Sequence, residues 1–212
     1  MNIDLLMYLQ LAIILLVSIG VHEYAHAWTS DKLGDPTPKM MGRLTPNPLA
    51  HIDPLGFLMI FIINFGWGKP VVTNPNYYRQ PLRDECLVAF AGPISNVILA
   101  CIGVLITITV SQTNLLLTSP GLIWFRELFA WINCGLAVFN MMPLPPLDGW
   151  RLVKVFAPRW AWQVQQLTYQ YMRITFVLLL VWSRLIAPVV WQISHWLYNW
   201  IHALFSTLFL LF

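Results

Sequence analysis

The densest chemistry in the chain is His22-Glu23-Tyr24-Ala25-His26, an H-E-x-x-H motif inside an apolar run. On a helix, residues four apart share a face, one turn from each other. Two neutral imidazoles at that separation can hold one Zn²⁺. Glu23, beside them, can take a proton from a water that the metal activates. The plainer reading is two interfacial histidines and a snorkelling glutamate at the end of a membrane helix. Burying an ionisable cluster in a membrane span is costly, so function is the default reading.

The elements that must position these residues are membrane helices. The chain has 212 residues, 58% hydrophobic and 10% charged, with a mean hydropathy of +0.65. That composition excludes a soluble zinc protease and predicts an all-α polytopic membrane protein in contact with a lipid bilayer. Eleven Trp and seven Tyr suit anchoring at both interfaces. There is no basic run of the kind that binds nucleic acid. Cys86, Cys101 and Cys134 are scattered in apolar segments without C-x-x-C spacing, so they read as packing residues. Residues 1–4 carry no Lys or Arg, so the first apolar segment reads as a retained span, not a signal peptide.

About five transmembrane helices are expected: 3–30, 84–110, 121–142, 175–187 extended backward, and 189–212, the last two separated by Pro188. Residues 31–83 form an insertion in which Pro36, Pro38, Pro46 and Pro48 forbid a continuous helix. Within it, Pro54 to Phe65 is too short to span easily and suits a re-entrant or interfacial element. Val71, Val72 and Thr73, flanked by prolines, suit a short extended edge. Residues 1–157 then make a three-helix catalytic membrane core, and 158–212 add C-terminal transmembrane helices, with 158–172 an amphipathic entry. Gly92, Asn96 and Ala100 recur every fourth residue, a small stripe that lets another helix approach. Asn96 reads as a packing hydrogen-bonder before a catalytic group. His195 and His202, among tryptophans, read as interfacial.

Charge placement sets the orientation. Lys32, Lys39, Arg43, Lys69, Arg79 and Arg83 lie in the insertion, and Arg151, Lys154 and Arg159 follow segment three, whereas 111–120 carries no Lys or Arg. The positive-inside rule puts the N-terminus outside and both basic stretches in the cytoplasm. His22 lies 18 residues past Asp4, roughly 27 Å along a helix. The histidines and Asn140/Asp148 then share a depth near the cytoplasmic face. A zinc hydrolase needs a third protein ligand and one position for water. Asp148 is the best-placed carboxylate; Glu85 and Glu127 begin segments two and three, and Glu127 would be on the outer side. Asp148 also suits a simple N-cap for the helical stretch 150–156. Pro143, Pro145 and Pro146 end the preceding helix and let the chain fold back.

Taken together, HEYAH (22–26), GRLTPNPLAHIDPLG (42–56), GKPVVTNP (68–75), AGPISN (91–96) and NMMPLPPLDG (140–149) resemble, in matching order, the site-2 proteases. These are intramembrane zinc metalloproteases, and the resemblance is to a short prokaryotic form without a PDZ-like or nucleotide-sensing domain. It implies zinc bound by His22, His26 and Asp148, with Glu23 as general base and Asn140 stabilising the oxyanion or positioning substrate. It also implies that residues 42–56 and 68–75, with Asn47, His51 and Asn74, and with Asn96 nearby, support or bind a transmembrane protein substrate. His51 has no physical role evident from the residues. The expected function is hydrolysis of a peptide bond in or near a transmembrane segment, in a prokaryotic cell membrane. The rivals are a catalytically silent membrane adaptor of the same helical core, expected to lack Glu23 or a ligand, and a metal transporter, expected to string more ionisable groups along its spans.

Overall fold

The computed structural model describes residues 5–63, 66–112, 120–170 and 172–209. The chain runs through α1 (Leu5–Lys32), α2 (Thr37–Met40), a 3₁₀ turn (Pro48–His51), α3 (Pro54–Ile63), a second 3₁₀ turn (Pro75–Tyr77), α4 (Pro81–Gln112), α5 (Pro120–Asn140), α6 (Gly149–Phe156), α7 (Pro158–Gln170) and α8 (Met172–Phe209). Most of the uncharged loop expected at 111–120 lies outside the described residues. So do the last two residues of the short apolar run and both chain ends.

Residues 6–32 and 81–111 are long and apolar enough to cross a membrane. Only 22% and 28% of their apolar windows are buried, too little for core helices of a water-soluble domain. Instead Leu9, Ile13, Val17 and Val21, four apart, form an exposed apolar stripe along α1, the face a helix turns to lipid. At 28 residues α1 is about 42 Å long, more than the roughly 30 Å hydrocarbon layer.

The C-terminal expectation needs correction. Segments four and five are not separated at Pro188; α8 runs through it, as α4 runs through Pro93. A proline removes one N–H and crowds the carbonyl four residues back. In an apolar setting, breaking the helix would strand more backbone groups than that. The expected short strand at Val71–Thr73 is also absent: among the described residues there is no strand, only an isolated antiparallel bridge between Ile52 and Gly68. Pro70 and Pro75 lack the N–H groups that would extend a ladder. Residues 71 and 72 still alternate as an extended chain does, Val71 being 3% exposed and Val72 51%.

α4 is the central helix, packed on α1, α5, α6 and α8. At one end, Ala100, Val104 and Ile108 of α4 meet Ala130 and Cys134 of α5 and Ile201 of α8 in a fully packed cluster. Small side chains in it permit close helix approach. Toward the other end, α5 stops at Asn140 and the chain doubles back through the prolines. Gly149 then lies against its own upstream backbone: a Cβ there would sit 2.3 Å from the Met141 carbonyl oxygen and 2.5 Å from that of Met142. Only glycine permits that return, which brings Asp148 to α1. The ten residues of α3 give about 15 Å of helix, half a span. α3 runs alongside α1, with the Phe61 and Tyr8 rings 5.9 Å apart.

Candidate metal centre

His22 and His26 sit one turn apart on α1, their rings edge to face at 4.7 Å, 6% and 2% exposed. Each Nδ1 has an acceptor. His26 Nδ1–H donates to the Val88 carbonyl of α4 at 2.7 Å. His22 Nδ1–H donates to Asn96 Oδ1 at 2.6 Å. The Asn96 amide is oriented in turn, because its Nδ2 donates to Asn133 Oδ1 of α5 at 2.9 Å. Asn133 Nδ2 donates to Ser18 Oγ of α1 at 2.9 Å. A carbonyl can only accept, so both imidazoles carry a proton on Nδ1 and turn Nε2, which bears a lone pair in the neutral ring, toward the centre.

Those lone pairs face the Asp148 carboxylate. Oδ2 of Asp148 lies 2.9 Å from His22 Nε2 and 3.1 Å from His26 Nε2, and the two Nε2 atoms are 3.1 Å apart. Asp148 occupies the position before α6, but its side chain makes no capping bond there. The simple N-cap reading therefore fails. Three electron-rich atoms converge in a buried spot. One proton could bridge two of them; a divalent cation satisfies all three. A tetrahedral zinc with bonds of about 2.0–2.1 Å holds its donors roughly 3.3 Å apart, so the trio fits that ion. Among the described residues this is the group of His, Cys, Asp and Glu side chains arranged to hold a metal.

Gly92 makes the packing possible. A Cβ at Gly92 would lie 2.4 Å from His26 Nε2 and 2.5 Å from His22 Nε2. The small stripe read from the sequence therefore has a specific task, with Gly92 clearing the rings and Asn96 orienting one of them. Asn133 and Ser18, both fully buried, were not singled out from the sequence. The available signal was a lone Asn inside an apolar span.

Glu23 projects toward the insertion, where its Oε2 accepts the Val71 N–H at 2.8 Å. The remaining candidates have structural partners. Asn47 accepts the Leu49 N–H at 3.0 Å and Asn74 the Asn76 N–H at 3.1 Å, each capping a 3₁₀ turn. Fully buried His51 has Nε2 3.0 Å from the Thr45 carbonyl, and its own carbonyl accepts the Lys69 N–H at 2.8 Å. Nδ1 of His51 has no partner among the described residues, and the ring is not part of the trio. Asn140 Nδ2 donates to the Leu136 carbonyl of its own helix at 3.0 Å, so its amide is turned along α5. On α8, His195 stacks on Trp191 at 5.3 Å, in keeping with an interfacial residue.

A buried HExxH pair, a carboxylate delivered by a proline-broken loop and an apolar helical scaffold make the kind of donor set that a membrane zinc hydrolase uses. The chain belongs to peptidase family M50, whose sequence profile matches residues 10–118 and 108–182. The family is zinc-dependent and membrane-bound, and zinc is the cofactor of this chain. YwhC of Bacillus subtilis (strain 168), named provisionally as a zinc metalloprotease, is 41% identical over 151 residues, 70% of this chain and 69% of the relative. Rip2 of Mycobacterium tuberculosis (strain ATCC 25618 / H37Rv), named in the same way, is 32% identical over 142 residues, 64% of this chain and 52% of the relative. MJ0611 of Methanocaldococcus jannaschii, again so named, is 37% identical over 105 residues, 47% of this chain and 51% of the relative. The chain thus spans about half the length of the latter two. No solved structure matches it.

Proposed function

We propose that this chain is an intramembrane zinc endopeptidase that cuts a peptide bond within or near a transmembrane segment of a membrane-protein substrate. The observation that carries this is the convergence of His22 Nε2, His26 Nε2 and Asp148 Oδ2, with both Nδ1 protons tied down, on a helix whose outer face is apolar. These three residues hold the metal. When bound, zinc supplies Lewis acidity toward a scissile carbonyl and brings the pKa of a water toward about 7.

The Val71 N–H holds the carboxylate of Glu23, the residue after His22. As general base, Glu23 takes a proton from the attacking water and passes it to the departing amine. A substrate helix hides its carbonyls in its own hydrogen bonds and must unwind locally. The extended segment at Val71–Thr73 supports a docking edge for the unwound stretch. Its inward side is fixed through Val71, while exposed Val72 has no hydrogen-bond partner among the described residues. Asn140 is assigned to substrate positioning, which requires its amide to turn from the Leu136 carbonyl.

In the membrane we place the N-terminus outside and the metal centre toward the cytoplasmic face, from the distribution of Lys and Arg. The Tyr8–Phe61 contact supports a re-entrant α3, because it carries a helix beginning near the metal-site depth back toward the outer end of α1. The test is cleavage of a library of single-span peptides by the purified chain in liposomes. Chelation should stop cleavage and added zinc restore it. A zinc-loaded chain that leaves every peptide intact would overturn the proposal.

A further inference from the structure

Asp148 has a second oxygen, and the side chain beside it is Arg151. Arg151 Nε lies 3.8 Å from Asp148 Oδ1, one turn along the chain. Its Nη1 donates to Thr73 Oγ1 at 2.8 Å and lies 3.6 Å from Glu85 Oε1. These side chains are shielded from water, with Arg151 18%, Asp148 12% and Glu85 7% exposed. One guanidinium therefore touches the loop carrying the third donor, the first turns of α4 and the proposed substrate edge. Lys154, a turn further along α6, reaches the same Glu85 oxygen at 3.6 Å and is 39% exposed.

We propose that Arg151 is a positioning residue that aims Asp148 at the metal and ties that carboxylate to the substrate edge. Its charge beside Oδ1 draws that oxygen away from the imidazoles and leaves Oδ2 facing them, and through Thr73 it fixes the segment that carries Val71 and hence Glu23. A carboxylate ligand that is itself held performs better than one free to rotate. A planar guanidinium with several donors in fixed directions suits three separate partners, which a single ammonium does not. A cation so close to a metal ligand would also repel a dication. Buried Glu85 offsets that charge and leaves the directional effect, which accounts for an acidic side chain otherwise poorly supplied with partners: its Oε2 has none among the described residues.

This inference rests on the zinc-peptidase reading, and the test separates the two. The probe is Zn²⁺ alone, competed against a chromophoric chelator on the purified full chain in detergent, with unfolding of the zinc-free protein followed in parallel. Arg151→Gln should weaken zinc binding by about 10–100-fold under conditions where the zinc-free variant is still folded, a pattern that a merely structural role would not give. Arg151→Lys should show much of the same loss, and it decides the question if the Gln variant does not fold. Lys154→Met, which removes the other cation on Glu85, should bind zinc like wild type. Wild-type affinity in both Arg151 variants would overturn the proposal, as would an equal loss in Lys154→Met. A wild-type chain that binds no zinc would overturn the underlying reading and this one with it.

Discussion

Replacing Gly92 by alanine adds one methyl group where α4 crosses the two imidazoles. Built on the existing backbone, that Cβ lies 2.4 Å from His26 Nε2, 2.5 Å from His22 Nε2 and 2.6 Å from His22 Cε1. An ordinary contact begins near 3.4 Å, so rings or helix must retreat by about 1 Å. Metal sites tolerate errors of roughly ±0.2 Å in ligand distance. Nor can the rings simply rotate away, since each Nδ1 is bonded to α4 itself, through Val88 and Asn96. Pushing α4 back instead breaks those two bonds. Either route should cost zinc affinity at least as much as losing an orienting partner, about 10–100-fold or roughly 1.4–2.7 kcal/mol. The assay is metal content by mass spectrometry, followed by competition with a chelator of known affinity. Gly135→Ala is the control: nothing lies within 4 Å of a Cβ there, and alanine in a helix interior is neutral to favourable by about 0.5–1 kcal/mol. If Gly92→Ala holds zinc as tightly as Gly135→Ala, the geometry of the centre described above is wrong.

Three other outcomes follow from particular contacts. Asp148→Ala should lower both zinc occupancy and cleavage, and equal zinc binding by the purified variant would remove Asp148 from the ligand set. Burial pushes the Asp35 carboxyl up, but hydrogen bonds from Thr37, the Asn74 N–H and Ser30 outweigh it and hold it below its ordinary 3.8. Its anchoring of the Asn74 segment is therefore complete above that value and is lost as pH falls through the depressed one. Pepsin should cut the 31–80 region of wild type progressively faster from pH 4 to pH 2 and that of Asp35→Asn at a nearly constant relative rate; the same acid dependence in both would contradict the assignment. Lys39→Cys, in a background without the native cysteines, should resist membrane-impermeant thiol reagents in intact cells and react after lysis, whereas efficient labelling from outside would reverse the proposed orientation.

The parts of the site that were legible in the sequence are those set by local spacing. His22 and His26 share a face by helical geometry alone, and the three prolines with Gly149 announce a chain reversal that can return Asp148 to α1. What surrounds them was less visible. Which side of α4 faces α1 depends on three-dimensional register, so the sequence shows Asn96 as a packing hydrogen-bonder but not as the partner of His22, and does not mark Asn133 and Ser18. Val88 acts through its carbonyl, which no side-chain pattern reveals. Asn47 and Asn74 each precede a proline, a pattern whose local meaning is a turn cap, and the structure uses them so. The break expected at Pro188 gave proline too much weight, because an apolar surrounding penalises the unpaired backbone that an interrupted helix would expose. Arg151 reads from the sequence as a charge alone, since two of its three partners, Thr73 and Glu85, come from distant parts of the chain.

The most direct test is a comparison of membrane proteomes from cells carrying the wild-type chain and cells carrying Glu23→Gln. The glutamine leaves both imidazoles and Asp148 in place, so the variant should retain zinc while losing about 10²–10⁴-fold in proton-transfer efficiency. The expected result is at least one fragment with a new terminus in or beside a transmembrane segment, present with the wild type and missing with Glu23→Gln, alongside equal zinc content in the two purified chains. The same fragments at the same abundance in both strains would contradict proteolysis by this centre.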